Sequence, residues 1–156
     1  MTAASKFRLI GVTLDEATPE LKPGGERDIA IRDLLAANSF TPIGSHGGPY
    51  RLVLGVAQNK LVMDVRLADG EPHGKVILSL TPFRRVINDY FQLCESYLKA
   101  VPNEQHGRIE ALDMGRRGLH DEGARLLSER LQGKIALDFD TARRLFTLIA
   151  LLHPGG

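Results

Sequence analysis

The densest run of chemically capable side chains in this chain is Glu110-Ala-Leu-Asp-Met-Gly-Arg-Arg-Gly-Leu-His-Asp-Glu-Gly123. If the run is one helix, Glu110, Asp113, Arg117 and His120 share a face, because residues three, four and seven apart return to the same side. Asp113 and Arg117 then form an i,i+4 ion pair, which on a solvated face is worth only about 0.3–0.5 kcal/mol. The same face could instead carry chemistry. His120 is the general acid–base candidate, since an imidazole titrates near physiological pH; Asp113 would orient it and Arg117 would hold a substrate. If the helix breaks at Gly115 and Gly118, Arg116 and Arg117 sit on a loop before a new helix start, where backbone N–H groups favour an anion. Asp121 and Glu122 would compete for that positive end. Each glycine costs a helix interior about 1 kcal/mol relative to alanine, so the broken and continuous forms both stay open.

Two further doublets, Arg84-Arg85 and Arg143-Arg144, fall at expected helix starts, where a cation opposes the macrodipole by about 0.3–1 kcal/mol. The plain reading pairs them with neighbouring acids, Asp89 for the first and Asp138 and Asp140 for the second, with their stems lying along apolar surface. The functional reading gives them an external anion, because guanidinium forks match phosphate and carboxylate geometry. Successive helical residues point about 100° apart, so at most one arginine of each doublet is expected to reach any given site.

Other sites are dismissed on pattern. Ser45-His46-Gly47-Gly48-Pro49 is glycine-rich but precedes a strand, whereas phosphate-cradling loops leave a strand and open a helix. The five histidines show no HExxH spacing, and a single cysteine rules out a multi-thiolate zinc site within one chain. There is no G-x-S-x-G elbow. Cys94 falls on an apolar helical stripe and is expected to be buried, which suits packing over nucleophilic chemistry and a reducing compartment. No metal and no cofactor is expected.

These residues need a scaffold, and the rest of the chain reads as one. At 156 residues it is the size of one domain, 1–156, with frayed ends at 1–5 and 153–156. Twenty Lys and Arg against 19 Asp and Glu leave +1, so no global field draws nucleic acid or an anionic membrane. No signal peptide opens the sequence, and Leu145 to Leu152 is far shorter than the roughly 20 apolar residues that span a bilayer. A cytoplasmic protein is expected. Lys6 to Leu14 alternates as a strand and gives way to a loop over Asp15 to Gly25; a short helix from Glu26 ends at Asn38-Ser39. Tyr50–Ala57, Lys60–Ala68 and Lys75–Leu80 alternate with connections too short for a parallel crossover, and so predict an antiparallel meander. Thr81-Pro82 predicts a capped helix start, with Phe83, Ile87, Tyr90, Cys94, Tyr97, Leu98 and Val101 packed on the sheet and Pro102 as its stop. Lys134 to Phe139 reads as an edge strand. Asp140 or Thr141 can cap a last helix that buries Ala142, Leu145, Phe146, Ile149 and Leu152. The fold class is therefore α+β, an antiparallel meander sheet of three or four strands with helices packed mainly on one face.

The strings Leu78-Ser-Leu-Thr-Pro-Phe-Arg-Arg85, Asp113-Met-Gly-Arg-Arg-Gly-Leu-His120, Phe139-Asp-Thr-Ala-Arg-Arg-Leu-Phe146 and Gly48-Pro-Tyr-Arg-Leu52 are long and idiosyncratic. Through them the chain resembles, nearly end to end, a small family of uncharacterised alphaproteobacterial proteins. That resemblance implies a bacterial cytoplasmic setting and transfers no catalytic residue. Three functions follow from the residues themselves. The leading one is a non-catalytic interaction or regulatory module that binds an anionic small molecule or an acidic protein surface through Arg84, Arg85, Arg116, Arg117, Arg143 and Arg144. The second is an enzyme acting on a phosphorylated or carboxylated small molecule, with His120 and Asp113 at its centre. The third is a structural homo-oligomer subunit with the doublets paired across a symmetric interface.

Overall fold

Alternation of buried and more exposed side chains builds the sheet. The computed structural model describes residues 6–15, 25–100 and 106–152, and the strands β3 (Tyr50–Ala57), β4 (Lys60–Leu67) and β5 (Pro72–Ser79) form the expected antiparallel meander. Leu52 stands opposite Val65, Leu54 opposite Met63 and Val56 opposite Leu61, while Met63 and Leu61 also face Val76 and Leu78. A period of two therefore places all of these side chains on one face, and Leu52, Leu54, Leu61 and Met63 are wholly buried. The opposite face carries Arg51, Asp64, Arg66 and Lys75. β3 and β4 join through Gln58 and Asn59, both at positive φ, 52° and 62°, which is the conformation a two-residue hairpin requires.

The fourth strand differs from the antiparallel expectation. β1 (Leu9–Leu14) lies parallel to β3, with Val12 beside Leu52 and Leu14 beside Leu54. Parallel pairing needs a long crossover, and the chain supplies one through α1 (Gly25–Ala36) and β2 (Phe40–Pro42). Asn38 fixes the joint. Its side-chain amide donates to the carbonyls of Leu34, at 3.0 Å, and Leu9, at 3.1 Å, while its oxygen accepts from the Leu9 N–H at 2.7 Å. The expected edge strand over 134–139 is shorter, β6 (Ile135–Leu137), and pairs with β2 in a separate two-stranded ribbon.

Three helices complete the layer: α2 (Arg84–Ala100), α3 (His106–Arg130) and α4 (Phe139–Leu152). α1 packs on α4, α4 on α3, and α3 on α2. Leu34, Phe83, Ile87, Leu127, Leu145, Phe146 and Ile149 meet the strand side chains in one core. The helix starts differ from expectation. Leu80 occupies the N-cap position of a short 3-10 turn, Thr81–Phe83, and makes no side-chain cap bond. The Thr81 hydroxyl instead accepts from the Asn59 amide at 2.9 Å. At α4 neither Asp140 nor Thr141 is the cap. Asp138 accepts from the Thr141 N–H at 2.8 Å, and the buried Thr141 hydroxyl accepts from the Ser39 N–H at 2.9 Å. The expected loop over 16–24, the stop at Val101-Pro102 and the frayed ends lie outside the described residues.

α3 runs unbroken for 25 residues in spite of its glycines, and packing accounts for two of them. A Cβ on Gly123 would meet the Phe146 ring at 2.3–2.6 Å, and one on Gly115 would meet Leu93 at 3.1 Å. Those contacts let α3 lie against α4 and α2. A Cβ on Gly118 would meet no atom of a neighbouring element within 4 Å. Alanine at the two positions should consequently act with opposite signs in urea unfolding. Gly118→Ala is expected to stabilise by about 1 kcal/mol through helix propensity. Gly123→Ala is expected to destabilise by about 1–3 kcal/mol, because overpacking against an aromatic ring exceeds that gain.

Candidate functional site

With α3 continuous, each member of the predicted constellation can be placed. Asp113 takes both arginines of its own doublet. Arg117 reaches it at 3.0 Å, and Arg116 bonds to its other oxygen while lying 4.7 Å above the Tyr97 ring of α2. The Arg116 hydrogen bond, aided by the charge of Arg117, holds the Asp113 carboxyl below the usual carboxylate range, and Asp113 in turn raises Arg116. Cation–π contact over a partly desolvated ring adds to the hold on α2.

His120 is placed elsewhere. Seven residues along the same helix it is about 10 Å from Asp113 by helical rise, and its Nε2 lies 2.8 Å from the Thr147 hydroxyl of α4. The single Thr147 proton is directed to the Arg143 carbonyl at 3.2 Å, so the hydroxyl accepts from His120 Nε2–H. A proton on Nε2 serves this bond in the neutral and the protonated ring alike. The ring sits 5.6 Å from Tyr90 and 5.7 Å from Phe146, in the angle where α2, α3 and α4 meet. Desolvation there, together with the nearby Arg143 charge, lowers the His120 pKa from its ordinary 6.5. Thus Asp113 and His120 are not brought together.

The other doublets reach across the helical layer. Arg85 bridges Asp89, at 3.0 Å, and Glu122 of α3. Arg143 lies 3.1 Å from Asp121 of α3 and 4.0 Å from Asp140. Arg84 donates to the Asn59 side chain at 2.9 Å, and Arg144 donates to the Ala37 carbonyl at 3.0 Å. Arg143-Arg144 starts four residues past the first residue of α4, where the dipole has largely faded. Four of the six guanidinium groups therefore face carboxylates of α2, α3 or α4, and two end on neutral oxygens.

Sequence reasoning missed a surface groove in the helical layer. Between α1 and α2, above α4, lies a groove of about 800 Å³ lined by Ile29, Asp33, Phe91, Cys94, Glu95 and Leu98 and floored by Thr147 and Ala150. Cys94 and Leu98 were expected in the core; Cys94 is only half-buried, and Leu98 is 72% exposed. The available signal was the width of the α2 stripe. Tyr97 and Leu98 are adjacent, so their helix has more apolar surface than one contact face can cover. Among the described residues no group of three or more His, Cys, Asp or Glu is placed to hold a metal ion, and no helix is long and apolar enough to cross a membrane.

Residues 6–154 match the family described as "Uncharacterised protein family (UPF0262)". The chain belongs to the UPF0262 family. A UPF0262 protein of Rhizobium etli (strain CIAT 652) is 53% identical over 158 residues, covering 99% of each chain. One from Nitrobacter winogradskyi is 51% identical and covers 97% of this chain and 93% of its own. A third, from Rhodopseudomonas palustris (strain TIE-1), is 51% identical with 97% and 95% covered. No solved structure matches. The alphaproteobacterial resemblance of the sequence is thus a UPF0262 membership, and it assigns no activity.

His120 gives this UPF0262 member a pH dependence of known sign. A pKa lowered on folding means that the unfolded chain binds more protons just below pH 6.5. Stability then rises with pH through that window and is fully present above it. In urea unfolding the wild type should lose stability between pH 7.5 and 5.5. His120→Gln should lose less, so that the gap between the two narrows on acidification. Asp113 acts only lower, below 3.8, and does not confuse the comparison.

Proposed function

We propose that this chain is a non-catalytic interaction module whose working surface is the groove between α1 and α2. The observation that carries this reading is the groove itself. About 800 Å³ of largely apolar concavity lies open at the surface, with Ile29 and Leu98 on its walls 48% and 72% exposed. Concavities of this size with apolar linings and a few polar groups are where proteins bind partners and ligands, and large exposed apolar side chains gathered in one place mark such sites.

On this reading the doublets chiefly brace the helices. Arg85, Arg116, Arg117 and Arg143 are opposed by Asp113, Asp121 and Glu122 of α3, so an external anion would have to displace those carboxylates. Arg84 and Arg144 end on neutral oxygens and are the doublet members with most left to offer an anionic ligand or an acidic partner. Acid–base catalysis through His120 is not favoured, because its Nε2 proton is directed to Thr147 and Asp113 is held by arginines. A reducing, cytoplasmic setting suits the half-buried Cys94.

Titration with the neutral solvatochromic dye Nile red tests the groove. The folded protein should shift its emission to the blue, and Ile29→Asp with Leu98→Asp should weaken binding by about tenfold, as expected when apolar contact is replaced by charge. Both side chains are exposed, so the melting temperature should move by no more than about 2 °C. Absence of dye binding, or equal binding by the double variant, overturns the reading.

A further inference from the structure

The groove walls have the relief of a surface built to receive a helix. On α2 the lining residues Asn88, Phe91, Gln92, Glu95 and Leu98 recur at i, i+3, i+4, i+7 and i+10, and on α4 Thr147, Ala150 and Leu151 recur at i, i+3 and i+4. Such rows are the ridges between which side chains of another helix pack. From Asn88 to Leu98 the α2 row is about 15 Å long, three helical turns.

The charge along this row has one sign. Asp33 on α1 and Glu95 on α2 both line the groove, and among the described residues no Lys, Arg or His does. Both carboxylates are exposed, and neither has an ion pair or hydrogen bond among the described residues. Asp113, Asp121 and Glu122 of α3, by contrast, are met by arginines from within the chain. An apolar floor between two unneutralised carboxylates complements an apolar stripe flanked by cations. Resting on the interaction-module reading, we propose that the groove takes a basic amphipathic helix of a partner protein. Its Leu- or Ile-type side chains enter over Ala150 and Phe91, and its Lys or Arg side chains meet Asp33 and Glu95.

Display selection tests this with a random twelve-residue peptide library and the full chain as bait, counter-selected against the Asp33→Lys, Glu95→Lys variant. Enriched peptides should carry apolar residues at i, i+3 or i+4 and i+7 with an excess of Lys and Arg. A synthetic copy should gain helical circular dichroism on binding. Its affinity should fall at least about fivefold in the charge-swapped variant and fall with added salt, as expected of exposed charge pairs. Peptides that are neutral, acidic or extended when bound overturn the proposal, as does a selection that yields no binder dependent on the groove. Dodecyltrimethylammonium bound with the same charge dependence, in the absence of any helical binder, points to a small organic cation and overturns it too. In each of these cases retained Nile red binding leaves the interaction-module reading standing, and its loss removes both.

Discussion

The helical layer depends on one missing Cβ. At Gly123 the backbone of α3 comes so close to Phe146 of α4 that any side chain would enter the ring, and the placement of nearby polar groups follows from that approach. One turn before Gly123, His120 is delivered to Thr147, and the two residues between bring Asp121 to Arg143 and Glu122 to Arg85. A glycine that weakens its own helix by about 1 kcal/mol thereby fixes where the neighbouring helices carry their charges. The same logic holds more loosely at Gly115, where Leu93 of α2 takes the space. Close packing leaves no slack to absorb a methyl group at such a point.

Much of this architecture was legible in the residue pattern. The meander could be read because its signals are local: alternation within each strand and the two-residue Gln58-Asn59 turn determine pairing partners that are adjacent in sequence. The parallel edge was not legible, since nothing in Leu9–Leu14 states which strand it joins; that is decided by the crossover and by the Asn38 amide, 29 residues away. Glycines in α3 were ambiguous for a related reason. Propensity counts what a residue costs its own helix, and it is blind to a ring arriving from another one.

For the candidate site the division falls along the same line. The Asp113–Arg117 pair follows from helix geometry and is present at 3.0 Å. Partners across helices, such as Glu122 for Arg85 and Asp121 for Arg143, carry no sequence signal, so the arginines that looked out of place against the helix dipole lacked their explanation until the helices were assembled. The groove is the extreme case. It exists because α1 rests on α4 while α2 rests on α3, and a space between two elements has no residue of its own.

The parallel β1–β3 pairing has a bearing on how the chain reaches this structure. β3, β4 and β5 close over turns of a few residues, whereas Leu9 meets Tyr50 across about 40 residues of intervening chain. Loop-closure entropy rises by only about 0.6 kcal/mol per doubling of length, so the distant strand adds little to the thermodynamic cost of the sheet. The effect falls on kinetics, because contacts between remote segments are slow to find. Until β1 arrives, one edge of β3 presents unpaired amides and carbonyls, a template on which another chain could pair. The parallel strand thus covers the β3 edge and becomes the edge strand itself, and the Asn38 amide, bonded to both backbone groups of Leu9, is the latch that holds it in place.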